Sequence, residues 1–261
     1  MTEFVTIQGE ALAVQQFHPV QHRGDAVMVH GYTGSKEDFS LIGPLLAERG
    51  YRVVTWDNRG QHESPHSDRA DAYTIPSLAQ DAHELAAHFG LDRPHLFGHS
   101  FGGLVAQRAA VLDPTRWSSI TIFCSGPRGM PEWTEMRDSL IETEHMTMPD
   151  VWMKYRDADA QLLPDYEFRK QRWMMSDLRS VRTHAKHLIE EPSIVHDVRA
   201  TGLPAHVVWG EFDDAWPIPM QAKMAEELEA AVSIIEGVGH SPNKEAPEYT
   251  AKVLADFWDR V

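Results

Sequence analysis

"HLFGHSFGGLVAQRAA", residues 95–110, runs from an apolar stretch of strand character into a helical one through Gly98-His99-Ser100-Phe101-Gly102. A serine between two glycines at such a junction has a chemical reading. A hydroxyl is a weak nucleophile, so a chain that uses one must expose its oxygen, deprotonate it and stabilise the oxyanion that follows. Glycines at 98 and 102 permit the tight strand-to-helix turn that projects Ser100, because side chains there would meet neighbouring backbone. The helix starting near Phe101 aims its unpaired N–H groups and positive end at that serine. The same five-residue pattern also occurs in ordinary loops, so its context decides.

The 261 residues fit one large domain, or a core with an insert. With 42% hydrophobic and 24% charged residues and no apolar run long enough to cross a bilayer, the composition is that of a soluble globular chain. The opening "MTEFVTIQGE" lacks a basic segment followed by an apolar core, so the expected location is the cytoplasm. A single cysteine, Cys124, excludes an internal disulfide, fits a reducing compartment and reads as a small buried residue at a strand end. Acidic residues outnumber Lys plus Arg by 39 to 24, for a net charge of -15, which argues against nucleic acid or an anionic membrane as partner. The histidines form no HExxH or His-x-His cluster, so no metal is expected, and no other cofactor is implied.

Short β-like runs alternate with helical ones, the pattern of a parallel sheet covered on both faces. The strand candidates are 26–31, 52–57, 95–100, 119–126, 205–210 and 231–237. Between them, "SLAQDAHELAAHFG" (77–90) reads as an amphipathic helix capped by Ser77, with Gln80 completing a capping box, Leu78, Ala82, Leu85 and Phe89 on one face, and Gly90 ending it. The alternation breaks between about 127 and 200, which reads as an insertion bounded by "GPRGMPEW" and "VRATGLP". Its aromatic and thioether residues suit an adaptable apolar lid, and Trp133, Trp152 and Trp173 are candidates to touch a substrate.

A serine nucleophile needs a base. His240, in "EGVGHSPNKEAPE", follows the last strand candidate and two glycines, on the sheet edge where the Ser100 turn also lies if the strands are parallel. The imidazole in turn needs an acid to fix its tautomer, and "WGEFDDAWPI" offers Asp213 and Asp214 after the preceding strand, although paired aspartates are also common turn formers. Two N–H donors for an oxyanion are available at Phe101, next to the serine, and at Tyr32, after His30-Gly31 in "VMVHGYTGSKEDF".

Ser100, then an acid after the later strand, then His240, with His30-Gly31 upstream, resembles the α/β-hydrolase fold superfamily across essentially the whole chain. The resemblance implies an α/β architecture: a mostly parallel eight-stranded sheet flanked by helices, with residues 1–126 and 201–261 as the core and 127–200 as an inserted helical cap. It selects Asp213 as the triad acid, leaving Asp214 to cap the following helix or turn, and makes the turn at Ser100 the nucleophile elbow after the fifth strand. "DNRGQHES" (57–64) is similar to a loop of this superfamily but carries His62 where a second glycine is usual. His62 is placed to approach the site, and His30 and His99 are candidate substrate contacts, although His99, common beside the nucleophile in the superfamily, reads first as a packing or hydrogen-bonding residue that does not react.

Serine at 100, where haloalkane dehalogenases and epoxide hydrolases carry aspartate, implies hydrolysis of an ester, thioester or lactone through an acyl-enzyme. The alternatives are hydrolytic C–C cleavage of ring-fission products, disfavoured because Ser241 rather than Trp follows His240, and a non-catalytic small-ligand receptor on the same fold. A dioxygenase branch that places an acid after the strand preceding the lid finds only Cys124-Ser125-Gly126 here. The expected partner is a small apolar or aromatic substrate, and a homodimer is the default the resemblance implies.

Overall fold

The computed structural model describes residues 2–155, 162 and 165–261. Strands β1 (Glu3–Ile7), β2 (Glu10–Phe17), β3 (Gly24–Val29), β4 (Tyr51–Trp56), β5 (His95–His99), β6 (Ser119–Phe123), β7 (Ala205–Gly210) and β8 (Ala231–Ile235) form one eight-stranded sheet in the order β1-β2-β4-β3-β5-β6-β7-β8. β2 runs antiparallel to both of its neighbours, and every other pair is parallel. The six strand candidates correspond to β3 through β8. The near-continuous apolar runs of β3, β5, β6 and β7 reflect burial on both faces, whereas β8 is an edge strand with Val232 and Ile234 exposed.

β1 and β2 escape a reading based on apolar runs because they are a hairpin of mixed polarity at the sheet edge. Its two-residue loop, Gln8-Gly9, has φ of 51° and 80°, the left-handed pair that a tight hairpin requires.

Helices α1 (Ile42–Glu48) and α11 (Pro247–Trp258) pack together; α2 (Ile75–His88), α3 (Phe101–Leu112), α8 (Val195–Ala200) and α9 (Ile218–Leu228) form another contiguous row. α2 begins two residues before the expected Ser77. Thr74 is its cap, accepting a bond from Ser77 N–H, while Gln80 turns to Glu84 instead of closing a capping box. Ile75-Pro76 explains the shift, since proline suits a first turn whose N–H groups have no helical partner.

Between β6 and β7 lie α4 (Thr134–Glu142), α5 (Met148–Tyr155), α6 (Tyr166–Met174) and α7 (Leu178–Glu190), followed by α8. α8 falls within the expected insert, yet Val195 and Val198 are buried in the main core and the helix packs on α3 and α9. Cys124 is free and buried at the end of β6. Among the described residues no helix is long and apolar enough to cross a membrane.

The sheet order positions the site. After β3 the chain passes through α1 to β4 on one side, and after β5 it passes through α3 to β6 on the other. The loops leaving the C-terminal ends of β3 and β5 therefore diverge and open a crevice between them, where ligands bind in open α/β sheets.

Burial of histidines gives this core a pH dependence. His30, His95, His99 and His206 are each held down to about 4 by burial. His95 stacks on Trp258 at 5.1 Å and His206 packs on Phe257 at 4.5 Å. An unfolded imidazole takes up its proton near pH 6.5 and the folded ones only near 4, so the unfolded chain binds more protons between those values. Stability is fully present above pH 6.5 and falls as the pH drops toward 4, by about 1.4 kcal/mol per pH unit for each such histidine. Urea melts at pH 7, 6 and 5 should show the midpoint falling at each step; a constant midpoint would refute neutral burial.

Candidate active site

Ser100 joins β5 to α3 with φ 56° and ψ −121°, a conformation L-residues avoid unless their surroundings enforce it. Three hydrogen bonds do so. Ser100 N–H donates to the Phe123 carbonyl of β6 at 2.9 Å, and its carbonyl accepts from Gly103 N–H at 2.8 Å and Ser125 Oγ at 2.7 Å. The flanking glycines are a steric necessity: a Cβ on Gly98 would stand 2.1 Å from the Gly102 carbonyl oxygen, and one on Gly102 would stand 2.3 Å from that of Val29.

The loop after β3 lies against this turn, so close that a Cβ on Gly31 would sit 3.1 Å from Ser100 Cβ. Among the described residues neither Tyr32 N–H nor Phe101 N–H has a protein acceptor, so both expected oxyanion donors remain available. His30 shapes this loop. Its Nε2 accepts from Asn58 N–H at 3.0 Å, which leaves Nδ1 to donate to the Gly31 carbonyl at 2.8 Å. With both ring nitrogens committed to backbone and the ring fully buried, His30 is a scaffold residue and not the substrate contact the sequence suggested.

The loop after β7 brings Asp213, and the loop after β8 brings His240, to the same edge. Asp213 Oδ1 lies 2.8 Å from His240 Nδ1 and also accepts from Ala215 N–H at 3.0 Å, while Oδ2 accepts from Gln221 Nε2 at 2.8 Å. Burial pushes this carboxyl upward, but its bond to His240, the His240 charge and the Gln221 and Ala215 donors outweigh that and hold it below the ordinary carboxylate range. Asp214 is exposed and caps nothing; the turn bond to Ala215 comes from Asp213 itself, and the residue before α9 is Pro217.

His240 is held from three sides. Glu245 accepts from Gly239 N–H at 2.8 Å and Ser241 N–H at 2.9 Å, clamping the flanking amides, and His99 Nε2 donates to the His240 carbonyl at 2.9 Å. His99 therefore positions His240 through its backbone, with the two rings 5.1 Å apart. Among the described residues Ser100 Oγ makes no hydrogen bond, so the serine–histidine contact is the open link of the set; such contacts often tighten only with substrate bound.

A second group of charges ties the site together. Asp38, buried in a short turn after the Tyr32 loop, accepts from Arg172 of α6 at 2.7 Å and from Lys244 at 2.8 Å, and its carbonyl accepts from Asn243 Nδ2 at 2.7 Å. Lys244 and Asn243 lie in α10 (Pro242–Glu245), which directly follows His240. Burial raises the Asp38 carboxyl, but the two cations more than offset it and hold the group well below the ordinary range. Sequence reasoning missed Asp38, Gln221 and Glu245 in these roles, because their partners are distant in the chain or are backbone amides.

His62 adopts φ 47° without being glycine and is buried away from the elbow, against Glu37 and the Phe168 ring of α6. Its neighbourhood could suggest a metal site, since ligand atoms of Glu37, His62 and Glu63 cluster. Lys36 Nζ already supplies the positive charge there, 2.8 Å from Glu37, 2.5 Å from Glu63 and 2.9 Å from Asp57.

Helices α4 to α7 enclose a cavity of about 690 Å³ whose walls include Tyr32, Trp133, Met136, Trp173, Val181 and Arg182. Trp133 and Trp173, two of the candidate substrate contacts, line this cavity. Trp152 does not; it packs behind Trp173 at 6.1 Å and on Tyr166 at 5.8 Å. Trp216, not singled out from sequence, links the cavity wall to the base, 5.4 Å from Trp133 and 6.5 Å from the His240 ring.

The sequence profile of the alpha/beta hydrolase family matches residues 26–253. The chain belongs to that family. A monoacylglycerol lipase of Xenopus laevis is 25% identical to this hydrolase over 90% of the chain and 75% of the relative. An uncharacterized hydrolase of Bacillus subtilis is 24% identical over 90% of each. Among solved structures, the enol-lactonase of Burkholderia xenovorans superposes with a TM-score of 0.82 at 17% identity, covering 98% of this chain and 100% of its own. A carboxylesterase of Nitrososphaera gargenis gives 0.79 at 20% identity, covering 98% of both chains. These structural likenesses concern the fold.

Proposed function

We propose that this hydrolase cleaves an ester, thioester or lactone bond of a small, largely apolar substrate through an acyl-enzyme on Ser100. The observation that carries the reading is the bond at 2.8 Å between buried Asp213 and half-buried His240, on the sheet edge where the strained elbow presents a serine with an unengaged hydroxyl. His240 takes the Ser100 proton as the hydroxyl oxygen attacks the acyl carbonyl, then returns it to the leaving group, and in the second half activates water in the same way. Asp213 keeps the Nδ1–H tautomer, leaving Nε2 to accept the proton, and stabilises the imidazolium. The Tyr32 and Phe101 amides receive the oxyanion. The sequence relative named as a monoacylglycerol lipase supports acyl transfer as the chemistry. The test is hydrolysis by the purified protein of p-nitrophenyl esters, lactones and ring-fission products, with Ser100→Ala as control; activity on ring-fission products alone would favour C–C cleavage.

The cavity sets selectivity in this reading. Trp133→Ala and Trp173→Ala should each shift the kcat/KM ratio of a bulky aromatic ester to an acetyl ester by about tenfold or more, since burying a large side chain against substrate contributes roughly 1 to 3 kcal/mol. Trp152→Ala, one layer back, should lower the melting temperature and leave that ratio within a few-fold. Equal ratios in all three variants would remove the preference for bulky apolar substrates.

A further inference from the structure

The cavity is lined mainly by apolar side chains, yet one wall carries a guanidinium. Arg182 of α7 donates through Nη1 to Thr143 Oγ1 at 2.8 Å, and Thr143 in turn donates to the Ser139 carbonyl at 2.6 Å, so the arginine is oriented by a fixed hydroxyl. Among the described residues no carboxylate lies within salt-bridge distance of it. The carboxylates of the same wall are otherwise placed: Glu132 is paired with Arg128 at 3.5 Å, and Glu135 is exposed. A guanidinium offers five N–H donors in a planar fork, and Thr143 uses one. The half-buried guanidinium thus keeps donors free beside Trp133, Met136 and Val181.

A second donor faces the same space. Tyr32 lines the cavity, and among the described residues its phenol makes no hydrogen bond. Burial raises its pKa, outweighing the lowering exerted by the Arg182 charge, so the phenol is an O–H donor at neutral pH. Tyr32 thereby spans two sites. Its backbone amide stands at the elbow and its ring borders the cavity shared with Arg182.

From this juxtaposition we infer that Arg182 and the Tyr32 hydroxyl form a carboxylate subsite, and that the preferred acyl group is a short chain or ring bearing a carboxylate remote from the scissile carbonyl. The inference rests on the serine hydrolase reading and narrows its substrate class to half-esters of dicarboxylic acids and lactones carrying a free carboxylate. The fork binds the carboxylate oxygens, the phenol adds a third donor, and the aromatic wall packs the intervening carbons. A chain anchored there extends along Tyr32, whose ring borders the cavity and whose amide follows Gly31 beside the Ser100 turn, and that orientation favours attack.

The experiment compares monomethyl glutarate with its neutral amide isostere, the methyl ester of glutaric acid monoamide, followed by pH-stat in wild type, Arg182→Gln and Arg182→Lys. Wild type should favour the acid in kcat/KM by about tenfold or more, Arg182→Gln should bring that ratio to about one, and Arg182→Lys should retain part of it. A wild-type ratio at or below one, or a ratio unchanged in folded Arg182→Gln, overturns the subsite. Binding separates this from failure of the hydrolase reading: glutarate should raise the melting temperature of Ser100→Ala but not of Ser100→Ala/Arg182→Gln. If that stabilisation is present while neither ester is cleaved by wild type, the subsite stands and the acyl-enzyme reading falls. If glutarate stabilises both variants equally or neither, the subsite falls.

Discussion

Ser100→Ala should lower turnover on any ester substrate by about 10⁴- to 10⁶-fold, because nucleophile, base and acid act as a unit and the residual rate comes from the oxyanion donors and binding alone. The fold should be unaffected. The strained turn is held by bonds through the Ser100 backbone to Phe123, Gly103 and Ser125, and Oγ takes no part in them. The variant should therefore melt within a few degrees of wild type. A fluorophosphonate should label the wild-type serine and leave the alanine variant unlabelled; labelling of both at the same rate would remove Ser100 from the mechanism.

Asp213→Asn should cost on the order of 10⁴-fold in kcat. Asp213 Oδ1 takes bonds from His240 Nδ1 and Ala215 N–H while Oδ2 takes one from Gln221, so every bond to this carboxylate requires an acceptor. An amide in its place must turn an NH₂ toward one of these donors. Turned toward His240 it selects the wrong imidazole tautomer; turned the other way it faces the Gln221 amide donor. Asp214→Asn, at an exposed side chain, should stay within a few-fold of wild type. Measured kcat for the two variants decides the assignment, and the reverse ranking would move the acid by one residue.

What was legible in the chain follows the range of the forces involved. Ser100 and its glycines could be read because the elbow is a local steric problem, solved within five residues. β3 to β7 were legible as apolar runs because a doubly covered parallel sheet leaves little room for polar side chains, and β8 was legible because its edge position still carries Val232, Ile234 and Ile235. The β1–β2 hairpin, half polar and turned by Gln8-Gly9, carried no such signal. The difference between Trp173 and Trp152 was invisible because α5 and α6 pack on each other, and only their relative rotation decides which indole meets the cavity. The scaffold role of His30 was hidden for a related reason, since both its ring nitrogens are fixed by backbone groups, which leave no mark in the sequence, whereas a structural role for His99 was already expected.

The Asp38 contacts bear on how this hydrolase can diversify. A lid inserted between two core strands looks exchangeable, free to vary while the chemistry beneath stays constant. Here the carboxylate that anchors α6 through Arg172 also anchors, through Lys244 and Asn243, the segment that carries the base. A grafted lid without a cation at that place would leave Asp38 and Lys244 to rearrange, and the shift would reach His240 within a few residues. Under the proposed function, specificity and chemistry are then not separable modules: a replacement for α4–α7 must bring its own cation opposite Asp38, or a compensating change at residue 38.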